Sequence, residues 1–423
     1  MDYRELLNRY KKGLVNEEEK QLVEQEIEKY EALEEYISEI FDEEFKDITK
    51  LSSVEKHDEE TTKLKKSVND RLRKVVFTSV LIVVVLYIGI FYVLSGIVDL
   101  VYYDPTAVTQ SEEQEYKSSD FYYDMQAYVS LNVPGYSSNS LTLQEPKGFG
   151  KYEVSYSLQN LFTKNHQRYF VNLSKGKLTY AIDGIFSMEN RLGIWEGFEK
   201  VMYDFPEDAN EDATTLRDKD VQRKNEETIR YLNELNPLSY ISMSIVFSED
   251  LNMEEFYHMS RECPSLDFKW VGIRTVDSGN QWNETQPMHL IGFNPNFNDE
   301  PSSNRRPDPE KYPIFYLLDF REDSILSKKD YPEAISEAYG IHFRSRLDYL
   351  RNREEFVEIF DYNYFKTDFY EDALAYIDEH GVKTYGVLVF GTAEEFLENI
   401  DNIPYDTLHI NEVLPTKPNI YYN

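Results

Sequence analysis

The sequence predicts an α+β protein with an N-terminal helical hairpin, one transmembrane helix and a larger α+β domain built from strand–helix–strand units. Three observations support this prediction. Residues 75–98 contain no charged side chain, although 29% of the residues of the chain are charged. Residues 1–45 carry apolar residues at helical spacing, and two segments after residue 239 show strand-like alternation followed by helical spacing.

The first 45 residues are predicted to form the helical hairpin. Leu6, Leu7 and Tyr10 lie on one side of a helix over residues 3–12, and Gly13 is a typical helix-ending residue. Asn16 can cap a second helix, and Glu19 three residues later completes a capping box. Apolar residues then recur every three to four positions. The expected partner-binding stripe of the hairpin is Leu6, Leu7, Tyr10, Val23, Ile27, Tyr30, Leu33, Ile37 and Phe41.

The opposite face of this hairpin is strongly acidic. Residues 13–45 contain 13 acidic side chains against only Lys20 and Lys29. Such a charge run is usually a solvated helix face. Two short helices cannot bury the apolar stripe alone, however, because domains of this size are marginally stable. A partner protein with apolar grooves and basic residues would fit both faces.

Residues 75–98 are predicted to be the transmembrane helix. An α-helix needs roughly 20 apolar residues to cross the hydrocarbon core of a bilayer, and this run has 24 residues without a charge. Before it, residues 46–74 lack apolar periodicity and are predicted to be a flexible tether. Six Lys and Arg residues lie within residues 63–74, whereas the first basic residue after the run is Lys117. We therefore expect a single-pass protein of the cell membrane with a cytoplasmic N-terminus and an extracellular C-terminal domain.

Composition limits the function of the part after the span. Residues 75–423 carry 57 acidic and 30 basic side chains, a net charge of −27, which argues against nucleic-acid binding. Cys263 is the single cysteine, so an intramolecular disulfide and a cysteine-based metal cluster are excluded. An exported domain without disulfides points to a Gram-positive surface protein. Residues 99–150 are predicted to be a loose juxtamembrane segment with a strand or two, and residues 151–423 the α+β domain.

Two segments of this domain are predicted to be strand–helix–strand units. Residues 240–247 alternate as a strand does, Glu249 and Asp250 introduce a helix, and a second strand follows at residues 268–276. Residues 384–390 are a β-rich run, Thr392 and Glu395 form a capping box for a helix over residues 393–400, and residues 407–413 form the closing strand. Residues 344–380 show helical spacing. Together these units indicate a small sheet covered by helices, as in a split βαβ arrangement.

The sequence contains no recognisable catalytic motif. Nucleophile-elbow, zinc-protease, phosphate-loop and dinucleotide-binding motifs are absent, and the seven histidines are scattered. Acidic residues are so frequent that a carboxylate pair carries almost no information about glycoside hydrolysis. The acidic run at residues 208–212 could bind calcium but lacks EF-hand spacing. We predict a protein that is not an enzyme and uses no cofactor or metal.

The N-terminal segments LLNRYKKGLVNEE (residues 6–18) and VEQEIEKYEAL (residues 23–33) resemble the anti-sigma domain of bacterial membrane-bound anti-sigma factors. Zinc-binding members of that group carry a His-x-x-x-Cys-x-x-Cys pattern, which falls here on Glu26, Tyr30 and Leu33. These residues cannot rebuild a zinc site with imidazole and thiolate ligands. The resemblance implies a zinc-free version in which Tyr30 and Leu33 fill the space. An unrelated amphipathic helical pair is the alternative interpretation of residues 1–45.

A second resemblance covers the part from the span onwards. The order of YISMSIVF (residues 240–247), KWVGIR (269–274), IGFNP (291–295) and YGVLVFGT (385–392) resembles the sigma factor regulator C-terminal domain of Firmicutes. The segment from residue 76 through the membrane resembles its companion N-terminal region. The resemblances imply an anti-sigma factor that sequesters an extracytoplasmic-function sigma factor at the membrane and releases it in response to envelope state. An envelope ligand or a second membrane regulator is a further expected class of partner.

Two other functions stay open from the residues alone. The chain could be an extracellular binding or envelope-assembly protein, anchored by its span, whose cytoplasmic helices recruit another complex. It could also be an exported hydrolase with an unrecognised acidic site. A sigma-factor gene beside its reading frame, or recovery of a sigma factor by residues 1–74, would favour the anti-sigma interpretation.

Overall fold

The computed structural model of the chain describes residues 10, 20, 21, 23, 60–99, 101–109, 117–138, 142–181, 197–198, 211–276, 290–299, 306–321, 331–360 and 367–418. The chain divides into two compact units, Met1–Leu86 and Tyr87–Asn423. In the predicted hairpin, Tyr10, Lys20, Gln21 and Val23 are described, and all four are helical. Lys20 and Gln21 are exposed, whereas Val23 is fully buried.

One long helical stretch contains the predicted transmembrane helix. Helix α1, Glu60–Ile88, continues as a π-helical segment, Gly89–Leu94, and then as the short helix α2, Ser95–Asp99. By length and composition Lys66–Asp99 can cross a membrane, and only 7% of its most apolar window is buried inside the protein. The apolar side chains of this stretch are therefore free to contact lipid.

The structure differs from the predicted flexible tether at residues 60–74, which are helical and form the first part of α1. Lys, Arg, Glu and Leu favour helix, and extending an existing helix avoids the cost of nucleation. The tether was predicted from the lack of apolar periodicity. The described side chains of residues 66–74 are exposed, and an exposed helix does not need such periodicity, so its absence is not informative here.

Helix α3, Asp120–Asn132, runs through the interior of the second unit. Every residue of α3 except Ser130 is buried. The described part of the predicted juxtamembrane segment, residues 99–150, includes strands at Tyr136–Ser138 and Leu143–Gly148, as predicted, but Asp120–Asn132 is a buried helix where the sequence predicts a loose segment. The run FYYDMQAYVSL at residues 121–131 lacks the spacing of a surface helix because it is buried on all sides.

The first sheet, sheet 1, has five antiparallel strands: β1 Tyr136–Ser138, β2 Leu143–Gly148, β3 Lys151–Asn160, β4 His166–Ser174 and β5 Lys177–Ala181. Strand β4 lies between β3 and β5, while β1 and β2 pair with successive parts of the other edge of β3. Tyr152, Val154 and Val171 are among the alternate residues of β3 and β4 that face the core. This period of two is expected of a sheet with one buried face.

The described residues after β5 contain six α-helices: α4 Glu211–Glu234, α5 Met253–Glu262, α6 Tyr331–Arg351, α7 Glu354–Phe360, α8 Thr367–His380 and α9 Ala393–Asn399. Helices α6, α7 and α8 include the described part of the segment that was predicted to be helical at residues 344–380. Helix α6 packs against α3, α5 and α8. It therefore holds the N-terminal and C-terminal parts of the second unit together.

The second sheet, sheet 2, contains both predicted strand–helix–strand units. Its strands are β6 Tyr240–Asn252, β7 Asp267–Ile273, β8 Gly292–Phe293, β9 Lys383–Thr392 and β10 Tyr405–Leu414. They lie in the antiparallel order β10-β6-β9-β7-β8. Helix α5 joins β6 to β7, and α9 joins β9 to β10. Each helix thus connects two parallel strands separated by a third, which is a split βαβ arrangement.

Two capping boxes fix the starts of the helices that follow β6 and β9. Thr392 and Glu395 cap α9 as predicted, with the Glu395 amide donating to Thr392 Oγ1 at 3.2 Å and the Thr392 amide donating to the Glu395 carboxylate at 2.6 Å. At α5 the cap is Asn252, with Glu255 as its partner. Strand β6 therefore continues through Asp250, where the sequence analysis began the helix. Asp250 has no Glu or Gln three residues later, whereas Asn252 has one.

Both faces of sheet 2 are buried. Ile241, Met243 and Ile245 of β6 belong to the main core, together with Phe256 of α5 and Phe396 of α9. The opposite face belongs to a second cluster, made of Leu161, Phe162, Phe198, Tyr240, Val246, Trp270, Leu290, Tyr385, Leu388 and Phe390. A strand buried on both faces is apolar along most of its length.

Helix α4 protects the outer edge of sheet 2. The side chain of Asn225 donates to the carbonyl oxygen of Asp406 at 2.6 Å and accepts from the amide of Leu408 at 2.9 Å. An edge strand otherwise presents unpaired backbone groups to other chains. The side-chain amide of Asn225 therefore pairs with backbone groups of β10 that a neighbouring strand would otherwise bond.

Gly386→Ala should lower the free energy of unfolding by about 1–3 kcal/mol, because the new Cβ would lie 2.4 Å from the carbonyl oxygen of Ile245. The matched control is Gly340→Ala in α6, where the nearest atom to the new Cβ is Val382 Cγ2 at 3.9 Å. This control should stabilise the protein by up to about 1 kcal/mol, since alanine favours helix. Denaturant unfolding of the full-length protein in detergent measures both changes. Wild-type stability of Gly386→Ala would contradict the close pairing of β6 and β9.

Candidate functional site

The predicted partner-binding stripe lies largely outside the described residues. Tyr10 is partly buried and Val23 fully buried, each in helical conformation. A buried Val23 beside exposed Lys20 and Gln21 is what an amphipathic helix produces. The assignment of the stripe to partner binding stays a prediction. The members that lie outside the described residues are Leu6, Leu7, Ile27, Tyr30, Leu33, Ile37 and Phe41.

The turn between β2 and β3 is hydrogen-bonded to the end of the candidate membrane span. The amide of Phe149 donates to Ser95 Oγ at 2.9 Å, and the amide of Gly150 donates to Asp99 Oδ1 at 2.6 Å. Gly148, Phe149 and Gly150 have φ angles of 78°, 56° and 69°. Successive amides in such turns point into one concavity, which binds anions. Asp99, the first charged residue after the span, supplies the anion here.

Aromatic side chains pack around this turn. Phe149 adopts a left-handed conformation that costs a residue other than glycine on the order of 1–3 kcal/mol. Its ring contacts Phe91 of the π-helical segment, with a centroid distance of 6.0 Å. Tyr102 lies against the β2–β3 and β4–β5 turns of sheet 1, since a Cβ on Gly150 or Gly176 would come within 3.3 Å or 3.6 Å of its ring. The chain that leaves the span is therefore held by sheet 1.

Beyond Tyr102 the chain enters a buried ionic cluster around Asp124 of α3. The Asp124 carboxylate accepts hydrogen bonds from Arg353 Nε at 2.6 Å and Nη2 at 2.8 Å. It also accepts from the hydroxyls of Tyr103 at 2.7 Å and Tyr349 at 2.9 Å. Tyr103 follows the span, Tyr349 lies near the end of α6, and Arg353 lies between α6 and α7. The cluster thus joins the end of the candidate span to α3, to α6 and to the connection between α6 and α7.

A second carboxylate of α3 extends this cluster. Asp120 accepts from Arg353 Nη1 at 3.3 Å, and its other oxygen accepts from the amide and hydroxyl of Thr109 at 2.9 Å and 3.0 Å. Asp120 and Asp124 lie in the first two turns of α3, where the helix dipole favours negative charge. Residues 101–109 are therefore attached to α3 through both Tyr103 and Thr109.

Burial perturbs the ionisation of the cluster. It raises the pKa of Asp124 above its ordinary value, and the Arg353 cation opposes that rise. Burial also raises the pKa of both Tyr103 and Tyr349 well above the ordinary tyrosine value, with a further contribution from the charge of Asp124. Burial has the largest single effect on the Arg353 pKa and lowers it, but the charge and hydrogen bonds of Asp124, together with Tyr349 and Tyr103, outweigh burial and raise the Arg353 pKa. The bidentate geometry and four donors favour an ionised pair at neutral pH.

The Asp124 cluster has the chemistry of a structural link. Asp124 is fully buried, and its hydrogen bonds come from protein groups, so its oxygens are closed to a substrate. This cluster is not among the sites predicted from the sequence. The signal that could have revealed it is Asp124 within the apolar run of α3, because a carboxylate buried on all sides needs a cation.

The described residues contain no group of three or more His, Cys, Asp or Glu side chains placed to hold a metal ion. Cys263 is buried, and burial raises the pKa of its thiol to about 11, which makes it a poor nucleophile. His342 is also buried, with Nδ1 at 3.0 Å from the carbonyl oxygen of Ile314, and burial lowers its pKa well below the ordinary histidine value. Within the acidic run at 208–212, residues 208–210 lie outside the described part.

Residues 232–405 match the family model described as sigma factor regulator C-terminal. The matched range covers about two fifths of the chain and runs from the end of α4 to the first residue of β10. Comparisons with curated proteins and with solved structures found no match. The family match supports an anti-sigma regulator family, which is typically regulatory rather than catalytic and implies a sigma factor as partner.

Arg353→Met should lower the free energy of unfolding by about 3–5 kcal/mol, because the buried Asp124 loses its cation. Adding Asp124→Asn should recover much of that loss, since the neutral amide needs no cation, and its oxygen accepts from one tyrosine hydroxyl while its nitrogen donates to the other. The matched control is Arg223→Met, which removes exposed ion pairs and should cost less than about 1 kcal/mol. Denaturant unfolding measures all three. Equal losses in Arg353→Met and the control would contradict a dominant buried pair.

Proposed function

We propose that this protein is a single-pass membrane anti-sigma factor. It holds an extracytoplasmic-function sigma factor at the membrane and releases it in response to the state of the envelope. The observation that carries the proposal is the family match of residues 232–405. The candidate span Lys66–Asp99 and the amphipathic pattern of residues 1–45 support the anchoring and the partner-binding parts of the proposal.

The sigma factor binds the apolar stripe of residues 1–45. An amphipathic helix laid into an apolar groove of a helical partner is a common mode of recognition. The acidic opposite face complements the basic surfaces with which a sigma factor contacts DNA. Val23 is buried within the chain itself, so this stripe member lies on a packed side of its helical segment and holds the segment in place. The bound helices mask the surface that the sigma factor needs for RNA polymerase.

The N-terminal part is cytoplasmic and the larger unit is extracellular. The basic residues within 63–74 precede the span, and acidic residues dominate the stretch that follows it. A sigma factor acts in the cytoplasm, so the stripe has to be there as well. The acidic ectodomain, residues 99–423, is unsuited to nucleic acid and is free to contact an envelope ligand or a second membrane regulator.

The ectodomain transmits the state of the envelope through the residues that hold the end of the span. Ser95 and Asp99 accept hydrogen bonds from the β2–β3 turn, and Tyr103 donates one to Asp124. A change in the ectodomain that moves sheet 1 or α3 therefore also moves the end of the span. These contacts support coupling across the membrane rather than simple anchoring.

Val23→Asp and Ile27→Asp should each weaken sigma-factor binding roughly 30-fold or more, because an unpaired buried charge in an interface costs about 2–5 kcal/mol. Transcription from a promoter of that sigma factor then rises in cells that carry either variant. A promoter–reporter assay measures the rise, and a pull-down with the full-length protein measures the binding.

Gln21→Asp is the matched control, because it adds the same charge at an exposed position of the same helical segment. It should leave repression unchanged, and immunoblots of the membrane fraction confirm equal protein levels. Full repression by both stripe variants would refute the stripe as the binding surface. A wild-type pull-down that recovers no sigma factor would instead favour an envelope-assembly role.

The proposed orientation predicts which cysteines react with a membrane-impermeant maleimide. Thr179→Cys should be labelled in intact cells, and Gln21→Cys only after permeabilisation. Both positions are exposed, and the native Cys263 is buried, so the unmodified protein gives the background. The reverse labelling pattern would place the stripe outside the cell and overturn the proposal.

A further inference from the structure

Four lysines occupy two neighbouring turns of sheet 1, in a part of the chain that is otherwise strongly acidic. Residues 75–423 carry 57 acidic and 30 basic side chains. At one end of sheet 1 the pairing register places Lys151 opposite both Gly148 and Ser174, and Ser174 opposite Lys177. Adjacent strands are about 4.8 Å apart, so these turns lie side by side. We call Lys147, Lys151, Lys175 and Lys177 the lysine rim, and all four are exposed.

The lysine rim lies where the chain leaves the candidate membrane span. The β2–β3 turn between Lys147 and Lys151 donates its amides to Ser95 and Asp99. The amide of Lys175 donates to the carbonyl oxygen of Gly150 at 2.7 Å, which joins the β4–β5 turn to the β2–β3 turn. Both turns are therefore held at the end of the candidate span, and the proposed span puts that end beside the lipid headgroups.

Three charges of the rim are not neutralised by the protein. Lys147 forms ion pairs with Glu145 at 2.9 Å and with Glu153 at 3.1 Å. Lys151, Lys175 and Lys177 form no ion pair within the part of the chain that the structure describes. Asp99, the nearest carboxylate of the span, is already bonded to the Gly150 amide. The rim therefore presents a positive surface in a negative unit.

We propose that the lysine rim binds the phosphate groups of anionic lipids in the outer leaflet and so fixes how the ectodomain stands on the membrane. Lysine is a point charge that binds phosphate without a fixed geometry, which suits a fluid headgroup layer. Exposed Val101 and Tyr102 lie beside the rim, and tyrosine is enriched at membrane interfaces. The inference rests on the proposed span but not on the sigma factor.

Each lysine of the rim should contribute modestly and additively to the free energy of contact with the membrane. A basic side chain near an anionic membrane surface shifts the equilibrium between free and membrane-bound states of the protein surface that carries it roughly fivefold towards the bound state. The three unpaired lysines together should therefore shift it roughly a hundredfold, and high salt should remove the effect because it screens surface charges. The acidic remainder of the ectodomain is repelled by the same surface, so contact is confined to the rim.

The test uses the full-length protein in liposomes that contain phosphatidylglycerol and phosphatidylcholine. A donor dye is attached to Thr179→Cys in β5 from outside, and the acceptor dye is on one lipid or the other. The unaltered rim should transfer more energy to labelled phosphatidylglycerol than to labelled phosphatidylcholine, which reports enrichment of the anionic lipid around it. Lys151→Gln, Lys175→Gln and Lys177→Gln combined should abolish that difference, as should high salt.

The matched control combines Lys219→Gln, Lys311→Gln and Lys383→Gln, which remove the same charge at exposed positions elsewhere in the second unit. It should keep the preference for phosphatidylglycerol. Equal transfer to both lipids with the unaltered rim, or an unchanged preference in the triple rim variant, would overturn the proposal. Loss of the preference on adding inorganic phosphate at constant ionic strength would also overturn it, because it would indicate a site for free phosphate.

Two further measurements separate this inference from the proposed function. Release of the protein from liposomes by alkaline carbonate would refute the span, and the lipid proposal would fail with it. Binding of a sigma factor by the triple rim variant should equal that of the wild type, because the stripe in residues 1–45 is unchanged. Loss of lipid preference with intact sigma binding is therefore the expected pattern for the rim variant.

Discussion

The buried pair of Arg353 and Asp124 is the interaction on which the attachment of the residues after the candidate span to α3 depends. A charge removed from water is tolerated only when a counter-charge and hydrogen bonds replace the lost hydration. Asp124 meets this requirement through four hydrogen bonds, two from Arg353 and one each from Tyr103 and Tyr349. None of these three donor residues lies in α3, the helix that carries Asp124. Movement of any one of them leaves a buried carboxylate with fewer donors.

This requirement fixes the course of the residues after the span. Tyr103 is bound to Asp124 and Thr109 to Asp120, so both ends of the described segment 101–109 are attached to α3. Before that segment, Asp99 is bound by the β2–β3 turn. The span therefore leads directly into a folded unit rather than through a flexible linker. A rigid connection of this kind is what the proposed coupling between the second unit and the N-terminal helices needs.

Features that depend on neighbouring residues could be predicted from the sequence, and features that depend on distant ones could not. The uncharged run at residues 75–98, the Thr392–Glu395 capping box and the alternation in β6 and β9 are local patterns, and each matches an element of the structure. Arg353 and Asp124 are 229 positions apart. With 78 acidic residues in the chain, no local feature singles out Asp124 as the partner of Arg353.

The buried helix α3 was missed for a related reason. Amphipathic spacing identifies a helix with one solvent-exposed side, and α3 has almost none. Its aromatic run was taken for a loose segment because tyrosine is compatible with strand, loop and core. The lysine rim was equally hidden, since its members belong to different strands and meet only through the register of sheet 1.

Under the proposed function, the strength of the buried pair bears on how a signal could reach the N-terminal helices. Separating Arg353 from Asp124 would cost about 3–5 kcal/mol. A ligand can supply this free energy only if it binds the state with Arg353 and Asp124 separated roughly a hundred- to a few thousandfold more tightly than the state with the pair intact. A motion that carries sheet 1, α3 and the end of the span together leaves the pair intact and needs no such ligand. Cleavage within the span also leaves the pair intact. Both routes are therefore favoured over one that detaches the span from the ectodomain.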